Sequence, residues 1–164
     1  MKTKKILIRI PILLLLMIAF YSFKKNSESS TYKCMIQMKN YTGEGAYVVV
    51  SLLNPKGKYE ETLYVQGDDD EWYFDIKEWW NFQGKKRANI DAITGATISG
   101  GQRAISIIRI DDDKLDKGYK IRFETAVEDQ LYYKDDVEFE FTSKNVKSKI
   151  EGKGFIRYIR MIPQ

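Results

Sequence analysis

The sequence contains no histidine, and this absence excludes several classes of enzyme. Without imidazole there is no Ser-His-Asp triad, no ordinary catalytic zinc site and no His-ligated haem. The single cysteine, Cys34, cannot form an internal disulfide and belongs to no CxxC motif, and its strand-like neighbours predict a buried thiol. Any electron-transfer role for this chain therefore requires an organic cofactor.

Acidic residues are absent from the first 25 positions, which changes the meaning of the net charge of +4. Six of the 27 basic residues lie at or before Lys25 and all 23 acidic residues lie after it, so residues 26–164 carry a net charge of −2. No nucleic-acid-binding module is recognisable, and the near-neutral body predicts no nucleic-acid partner.

The N-terminal segment combines a basic stretch at 1–5 with an apolar run at 6–23, which is typical of a secretory signal or a signal anchor. The run reaches the lower limit for a membrane-spanning helix. Bulky aromatics, Tyr21 and Phe23, occupy positions where a signal peptidase needs small residues. We therefore expect an uncleaved anchor over 1–25, with a cleaved signal peptide as the alternative. Residues 26–31 are interpreted as a tether and 32–164 as one periplasmic β domain.

The body alternates short apolar runs with Gly, Pro and Asp turn signals, and this pattern predicts an all-β domain. We expect an antiparallel β-sandwich, immunoglobulin-like, with one N-terminal membrane helix and a long motif-bearing loop. Strands are predicted over 32–39, 46–53, 61–66, 104–110, 119–127, 134–142 and 155–161. An aromatic-rich stretch predicts a short helix near 76–81, and residues 84–101 predict the long loop.

This loop contains the sequence Asp-Ala-Ile-Thr-Gly-Ala-Thr-Ile-Ser-Gly at residues 91–100. It resembles the flavinylation motif of covalent FMN-binding domains, Asp-x-x-Ser/Thr-Gly-Ala-Thr, which is often followed by a further hydroxyl residue. The matching positions, with the trailing hydroxyl given last, are Asp91, Thr94, Gly95, Ala96, Thr97 and Ser99.

In those domains the threonine at the Thr97 position is esterified to the phosphate of FMN by a magnesium-dependent flavin transferase that uses FAD. The resemblance therefore implies FMN as a covalent cofactor, held by a phosphoester to Thr97. A hydroxyl alone is a weak nucleophile, so the transferase supplies the base and metal, and the loop must enter its active site. Gly95 and Ala96, which have small side chains or none, would keep the loop narrow enough to turn beside the flavin phosphate. The side chains of Asp91 and Thr94 could accept hydrogen bonds from backbone amides of the same loop.

Residues 46–142 are also similar to a bacterial family of predicted periplasmic proteins without a settled function. The similarity is carried by residues 47–50, 61–63, 79–80, the motif and 118–124. Members are often encoded beside a flavin transferase and a PepSY-type membrane protein, so the resemblance implies these partners and a role in electron transfer. The residues after the motif, Ile98-Ser99-Gly100, differ from the basic and proline residues that often follow it.

The other candidate functional residues each allow a functional and a structural interpretation. Trp72, Trp79 and Trp80 could stack on an isoalloxazine ring or fill the core, and Trp79 or Trp80 would be the choice for stacking. The aspartate runs at 68–70 and 111–113 lack the positions of an EF-hand loop and predict solvated turns. Four alternating glutamates predict a solvated sheet face: Glu124, Glu128, Glu138 and Glu140.

The sequence therefore predicts a periplasmic electron carrier that is a substrate of a flavin transferase and not itself an enzyme. The alternative is a non-redox β-sandwich that binds a partner or acts as a scaffold within a periplasmic membrane complex.

Overall fold

A computed structural model describes residues 28–86, 90 and 93–164. Its strands are β1 (Ser29–Met38), β2 (Tyr47–Leu53), β3 (Tyr59–Gln66), β4 (Thr94–Gly95), β5 (Arg103–Asp111), β6 (Lys120–Ala126), β7 (Tyr132–Glu140), β8 (Lys149–Glu151) and β9 (Ile156–Pro163). The helix α1 spans Lys77–Lys86, and short 3-10 helices span Asp70–Asp75, Asp112–Lys114 and Asn145–Lys147.

The strands form two sheets, as expected for a mostly β domain. One has four strands in the order β5-β1-β9-β8, and the other has five in the order β4-β3-β2-β6-β7. Neighbouring strands are antiparallel except β3 and β4, which pair in parallel. The expectation of a purely antiparallel arrangement is therefore wrong at this edge.

One buried cluster joins the two sheets. It combines side chains of β1, β5 and β9 with side chains of β2, β6 and β7. Strands β1 and β5 alternate buried and more accessible residues, because only their inner faces meet this core. The four-stranded sheet thus keeps its outer face toward solvent.

Strand β2 is buried on both faces, which explains its unbroken apolar sequence. Val48 and Val50 join the cluster between the sheets. Val49 faces a second cluster with Tyr73 and Trp79 of the helical segment. The helical segment therefore covers the outer face of the five-stranded sheet.

The helix predicted near 76–81 is confirmed and extends to Lys86. The 3-10 helix before it is capped by Asp69, whose carboxylate accepts the Glu71 N–H at 3.1 Å. Asp69 therefore has a capping role within its turn. Ile76, which is fully buried, connects the 3-10 helix to α1.

Several predicted boundaries need correction. The tether assigned to 26–31 is too long, since β1 begins at Ser29 and the Ser29 hydroxyl donates to Asp111 at 2.7 Å. The region assigned to a long loop contains β4 and the end of α1, and β8 was not predicted. Cys34 is confirmed as buried, and burial raises the pKa of its thiol to about 12.

The predicted anchor over 1–25 lies outside the described residues. Within the ranges that the structure does describe, no helix combines the length and the apolar character needed to cross a membrane.

Candidate functional site

The motif loop lies at one end of the five-stranded sheet and is attached on both sides of Thr97. Thr94 and Gly95 pair in parallel with Val65 and Gln66 of β3. Ile98 is buried and forms an isolated antiparallel bridge with Ala46. Two residues between these attachments, at positions 96 and 97, are exposed. The structure therefore places the candidate acceptor, Thr97, on a short, anchored surface segment.

Tyr41 fixes the backbone next to Thr97. Its hydroxyl donates to the Ile98 carbonyl and accepts the Ala46 N–H at 2.8 Å. The Tyr41 ring packs edge-on against Phe155 with 5.0 Å between centroids. Burial raises the pKa of the Tyr41 hydroxyl, so it stays protonated and can donate at neutral pH. The Tyr41 side chain thus links both partners of the Ala46–Ile98 bridge to the core.

Glycines allow the close approach of the chain around Thr97. A Cβ on Gly45 would lie 2.3 Å from Thr97 Oγ1 and 2.7 Å from Thr97 Cβ. A Cβ on Gly100 would lie 2.1 Å from the Tyr41 carbonyl oxygen. All three distances are far below ordinary van der Waals contact. The turn before β2 therefore supports the Thr97 side chain only because position 45 has no side chain.

Gly95 has a more specific role than keeping the loop slim. A Cβ at this position would lie 2.7 Å from the Tyr64 hydroxyl oxygen. The Gly95 carbonyl accepts a hydrogen bond from the Gly67 N–H. This glycine therefore allows β4 to approach the end of β3.

The other motif residues have different environments. Thr94 is half-buried, and its carbonyl lies 3.5 Å from the Tyr64 hydroxyl, which donates to it. Ser99 is exposed just after the bridge. Asp91 lies outside the described residues. The structure thus brings Thr94, Gly95, Ala96, Thr97 and Ser99 together on one edge.

The two tryptophans chosen as stacking candidates differ in exposure. Trp79 is 0% exposed, and its Nε1–H donates to Thr62 Oγ1 at 2.8 Å. Its ring offers no face to a ligand, so assigning Trp79 to flavin stacking is wrong, and it belongs to the core. Trp80 is 37% exposed and lies 6.0 Å from Trp79 between ring centroids. Only Trp80 keeps the predicted role as a hypothesis.

An open cleft of about 530 Å³ lies between the helical segment and the β6–β7 connection. Its apolar and aromatic lining residues include Trp72, Phe74, Val127, Leu131 and Tyr132. Phe74 and Leu131 are more than half exposed. The lining also includes Asp75, Lys77, Glu128 and Asp129, so the concave surface offers aromatic rings beside charged groups to a flat ligand. The sequence identified Trp72 as a candidate but not its partners, because they come from distant parts of the chain.

One short turn separates this cleft from Thr97. Gln130 lines the cleft, and its side-chain amide donates to the Thr42 carbonyl at 2.7 Å and lies over Gly43. Gly45, two residues further on, contacts Thr97. The cleft and the Thr97 side chain therefore flank the same turn, at the same end of the five-stranded sheet.

A buried carboxylate lies beneath α1, and the sequence did not predict it. Glu124 is fully buried and accepts hydrogen bonds from the Tyr59 and Tyr132 hydroxyls. Burial raises the pKa of Glu124. The Tyr132 oxygen also accepts the Glu78 N–H at 3.2 Å, in the first turn of α1. The expected solvated face is therefore wrong at Glu124, because the helical segment covers it.

Two other acidic residues serve a turn and an ion pair. Asp116, which has a positive φ of 57°, accepts the Ser143 N–H at 3.0 Å and hydroxyl at 2.6 Å. Glu138 forms an ion pair with Arg122 at 2.7 Å. No group of three or more potential metal ligands occurs among the described residues. Asp116 therefore serves a turn, whereas Glu138 lies on strand β7 and pairs with a cation.

Comparison with known proteins gives one family. The model of a family described as "Predicted periplasmic protein (DUF2271)" matches residues 29–158, from the first residue of β1 into β9. No curated protein and no solved structure matches the chain. The matched range includes the Thr97 loop, the aromatic cleft and the buried glutamate.

Proposed function

The chain belongs to this family of predicted periplasmic proteins, and on that premise we propose that it is a membrane-anchored periplasmic electron-transfer protein carrying FMN on Thr97. The observation that carries the proposal is the exposed Thr97 on an anchored two-residue segment inside the flavinylation-like motif. Its immunoglobulin-like sandwich would present this segment beyond the membrane.

The local geometry fits the acceptor role. A transferase must reach the hydroxyl, and Thr97 is exposed. The attacking oxygen must also be held in place, and Tyr41 and the bridge at Ile98 restrain the neighbouring backbone. Accessibility combined with restraint lowers the entropic cost of docking the loop into another active site.

The group transfer balances with FAD as the donor. Thr97 Oγ attacks the phosphorus atom on the FMN side of the FAD pyrophosphate, a new P–O bond forms, and AMP leaves. The hydroxyl proton passes to a base that the transferase supplies. Once bound, the cofactor supplies one- and two-electron chemistry that no side chain here provides.

The aromatic cleft is the surface that we assign to the flavin ring. It lies across one turn from Thr97, and its lining offers Phe74 and Trp72 as partners for a flat ring. Electrons would then pass between a PepSY-type or other membrane redox protein and a soluble acceptor. In the alternative, a non-redox module, the same cleft would bind a partner protein.

Co-expression of the full chain with a flavin transferase in a periplasm tests the proposal. We expect an intact mass raised by one FMN less one water, and a flavin-fluorescent band on a denaturing gel. Thr97→Ala should abolish both signals, and Thr97→Ser should retain them in part. Ser99→Ala is the matched control, because it removes a second exposed hydroxyl from the same loop.

Two results would contradict the proposal. One is a wild-type chain that stays unmodified while the same transferase modifies an established FMN-binding domain. The other is a Thr97→Ala chain that still carries covalent flavin. The first result would favour the non-redox binding module.

A further inference from the structure

We propose that the outer face of the four-stranded sheet docks on an anionic lipid bilayer. This surface, called here the basic face, consists of the outward side chains of β1, β5 and β9. The proposal is independent of the flavin chemistry, since it concerns the opposite sheet.

The basic face alternates aliphatic and cationic side chains. Strand register places three side chains in each of two neighbouring outward rows: Ile107, Lys33 and Ile162 in one, and Ile105, Met35 and Arg160 in the next. Ile105, Ile107 and Ile162 are 53%, 56% and 46% exposed. Exposed isoleucines on adjacent positions of a sheet call for a covering surface.

The charge of these strands is opposite to that of the domain as a whole. Together β1, β5 and β9 contain one acidic residue, Asp111, and five basic residues: Lys33, Arg103, Arg109, Arg157 and Arg160. Residues 26–164 as a whole carry −2. The Asp111 carboxylate accepts the Ser29 hydroxyl at the end of the sheet, away from the isoleucine rows. Strand β8 adds one exposed residue of each sign, Lys149 and Glu151, which pair with each other at 3.5 Å. Among the described residues, the outer face of the four-stranded sheet therefore carries an excess of basic charge.

The chain connection brings this sheet close to the bilayer. The apolar run of the sequence ends at position 23, Lys24 and Lys25 follow it, and β1 begins at Ser29. Six residue steps separate position 23 from Ser29, and they span at most about 22 Å when fully extended. The start of β1 therefore lies near the membrane interface when the N-terminal segment is inserted.

An anionic bilayer satisfies both properties of the surface. Arginine and lysine heads pair with lipid phosphates while their stems lie along apolar surface. Isoleucines between them can enter the interfacial region, as apolar residues of interfacial elements do. A soluble protein partner would satisfy the isoleucines, but the proximity imposed by the N-terminal segment favours lipid.

Depth-dependent quenching in vesicles tests the proposal on the full chain before flavinylation. A bimane probe is attached to Ile107→Cys, and Leu131→Cys is the matched control, since it is an equally aliphatic position, 63% exposed, at the far side of the domain. Native Cys34 is fully buried and does not compete for the probe. In vesicles containing phosphatidylglycerol and nitroxide-labelled lipid, we expect several-fold stronger quenching at position 107 than at position 131.

A second test of docking removes basic residues from the face or raises the salt concentration. Replacing Arg103, Arg109 and Arg160 with glutamine should weaken docking by about a hundredfold, from about fivefold per cation, and return the probe at 107 to the quenching of the control. High salt should do the same to the unsubstituted face, because at 1 M the Debye length falls to about 3 Å. Equal quenching at 107 and 131 would overturn the proposal, as would a probe at 107 that is shielded by a second copy of the chain instead of lipid.

Discussion

Glu124 offers a direct test of the packing beneath α1, because a fully buried carboxylate depends on its hydrogen-bond donors. Tyr59 and Tyr132 each donate a hydroxyl to it. A hydrogen bond to a charged group contributes ~1.5–3 kcal/mol, so Tyr59→Phe should lower the free energy of unfolding by about 2 kcal/mol at neutral pH. Phenylalanine keeps the stacking on Phe82, where the centroids are 5.3 Å apart, so this loss reports on the hydroxyl.

The same carboxylate makes stability depend on pH with a definite sign. Burial raises the pKa of Glu124 in the folded protein. The folded state therefore binds this proton more tightly than the unfolded chain does, and the contribution of Glu124 to stability falls as pH rises from about 4 toward the raised pKa. Glu124→Gln removes this titration. The stability difference between the two proteins should therefore shift in favour of the variant as pH rises across that range.

Urea unfolding followed by tryptophan fluorescence measures both effects. The wild type, Tyr59→Phe, Glu124→Gln and the double variant form a cycle, and we expect a coupling energy of about 1 kcal/mol or more. Additive single effects, together with a difference between Glu124→Gln and wild type that does not vary with pH, would refute this account of the site.

Three further predictions concern other contacts. Gly45→Ala should reduce flavinylation of Thr97 severalfold, measured by intact mass, because the new Cβ occupies the space of the Thr97 side chain. Asp136→Asn should lower the free energy of unfolding in urea by about 2 kcal/mol, because an amide group replaces an oxygen that accepts the Ile156 N–H at 2.9 Å. Cys34 should resist alkylation at neutral pH until urea unfolds the domain, because burial raises its thiol pKa to about 12.

The sequence predicted the strands well and the layering poorly, for a physical reason. Apolar residues alternate with period two in β1 and β5, which indicates one buried face, so both strands could be predicted from the sequence. The apolar run of β2 reports burial on both faces without saying what covers each. The residue pattern of β6 therefore gives no sign that the helical segment covers its outer face. For this reason Glu124 was predicted to face solvent, and the ligand and core interpretations of Trp79 could not be distinguished.

The loop shows the same limit at a finer scale. Residue types alone indicated an acceptor threonine between small residues. The parallel pairing of β4 with β3 depends on a contact between segments some thirty positions apart, and two residues carry no periodic signal. The support from Gly45 and Tyr41 is equally non-local, because both come from the turn before β2.

The two proposed surfaces are compatible because they belong to different sheets. The basic face is the outer face of the four-stranded sheet, whereas Thr97 follows β4 at the edge of the five-stranded sheet. The sheets meet through their inner faces, so a domain docked by its four-stranded sheet holds the five-stranded sheet and its helical cover away from lipid. Docking would thus leave the acceptor loop accessible to a transferase while restricting the orientations in which the domain meets a membrane redox partner. A restricted orientation raises the effective concentration of the productive encounter, which is the advantage that a tethered carrier gains over a freely diffusing one.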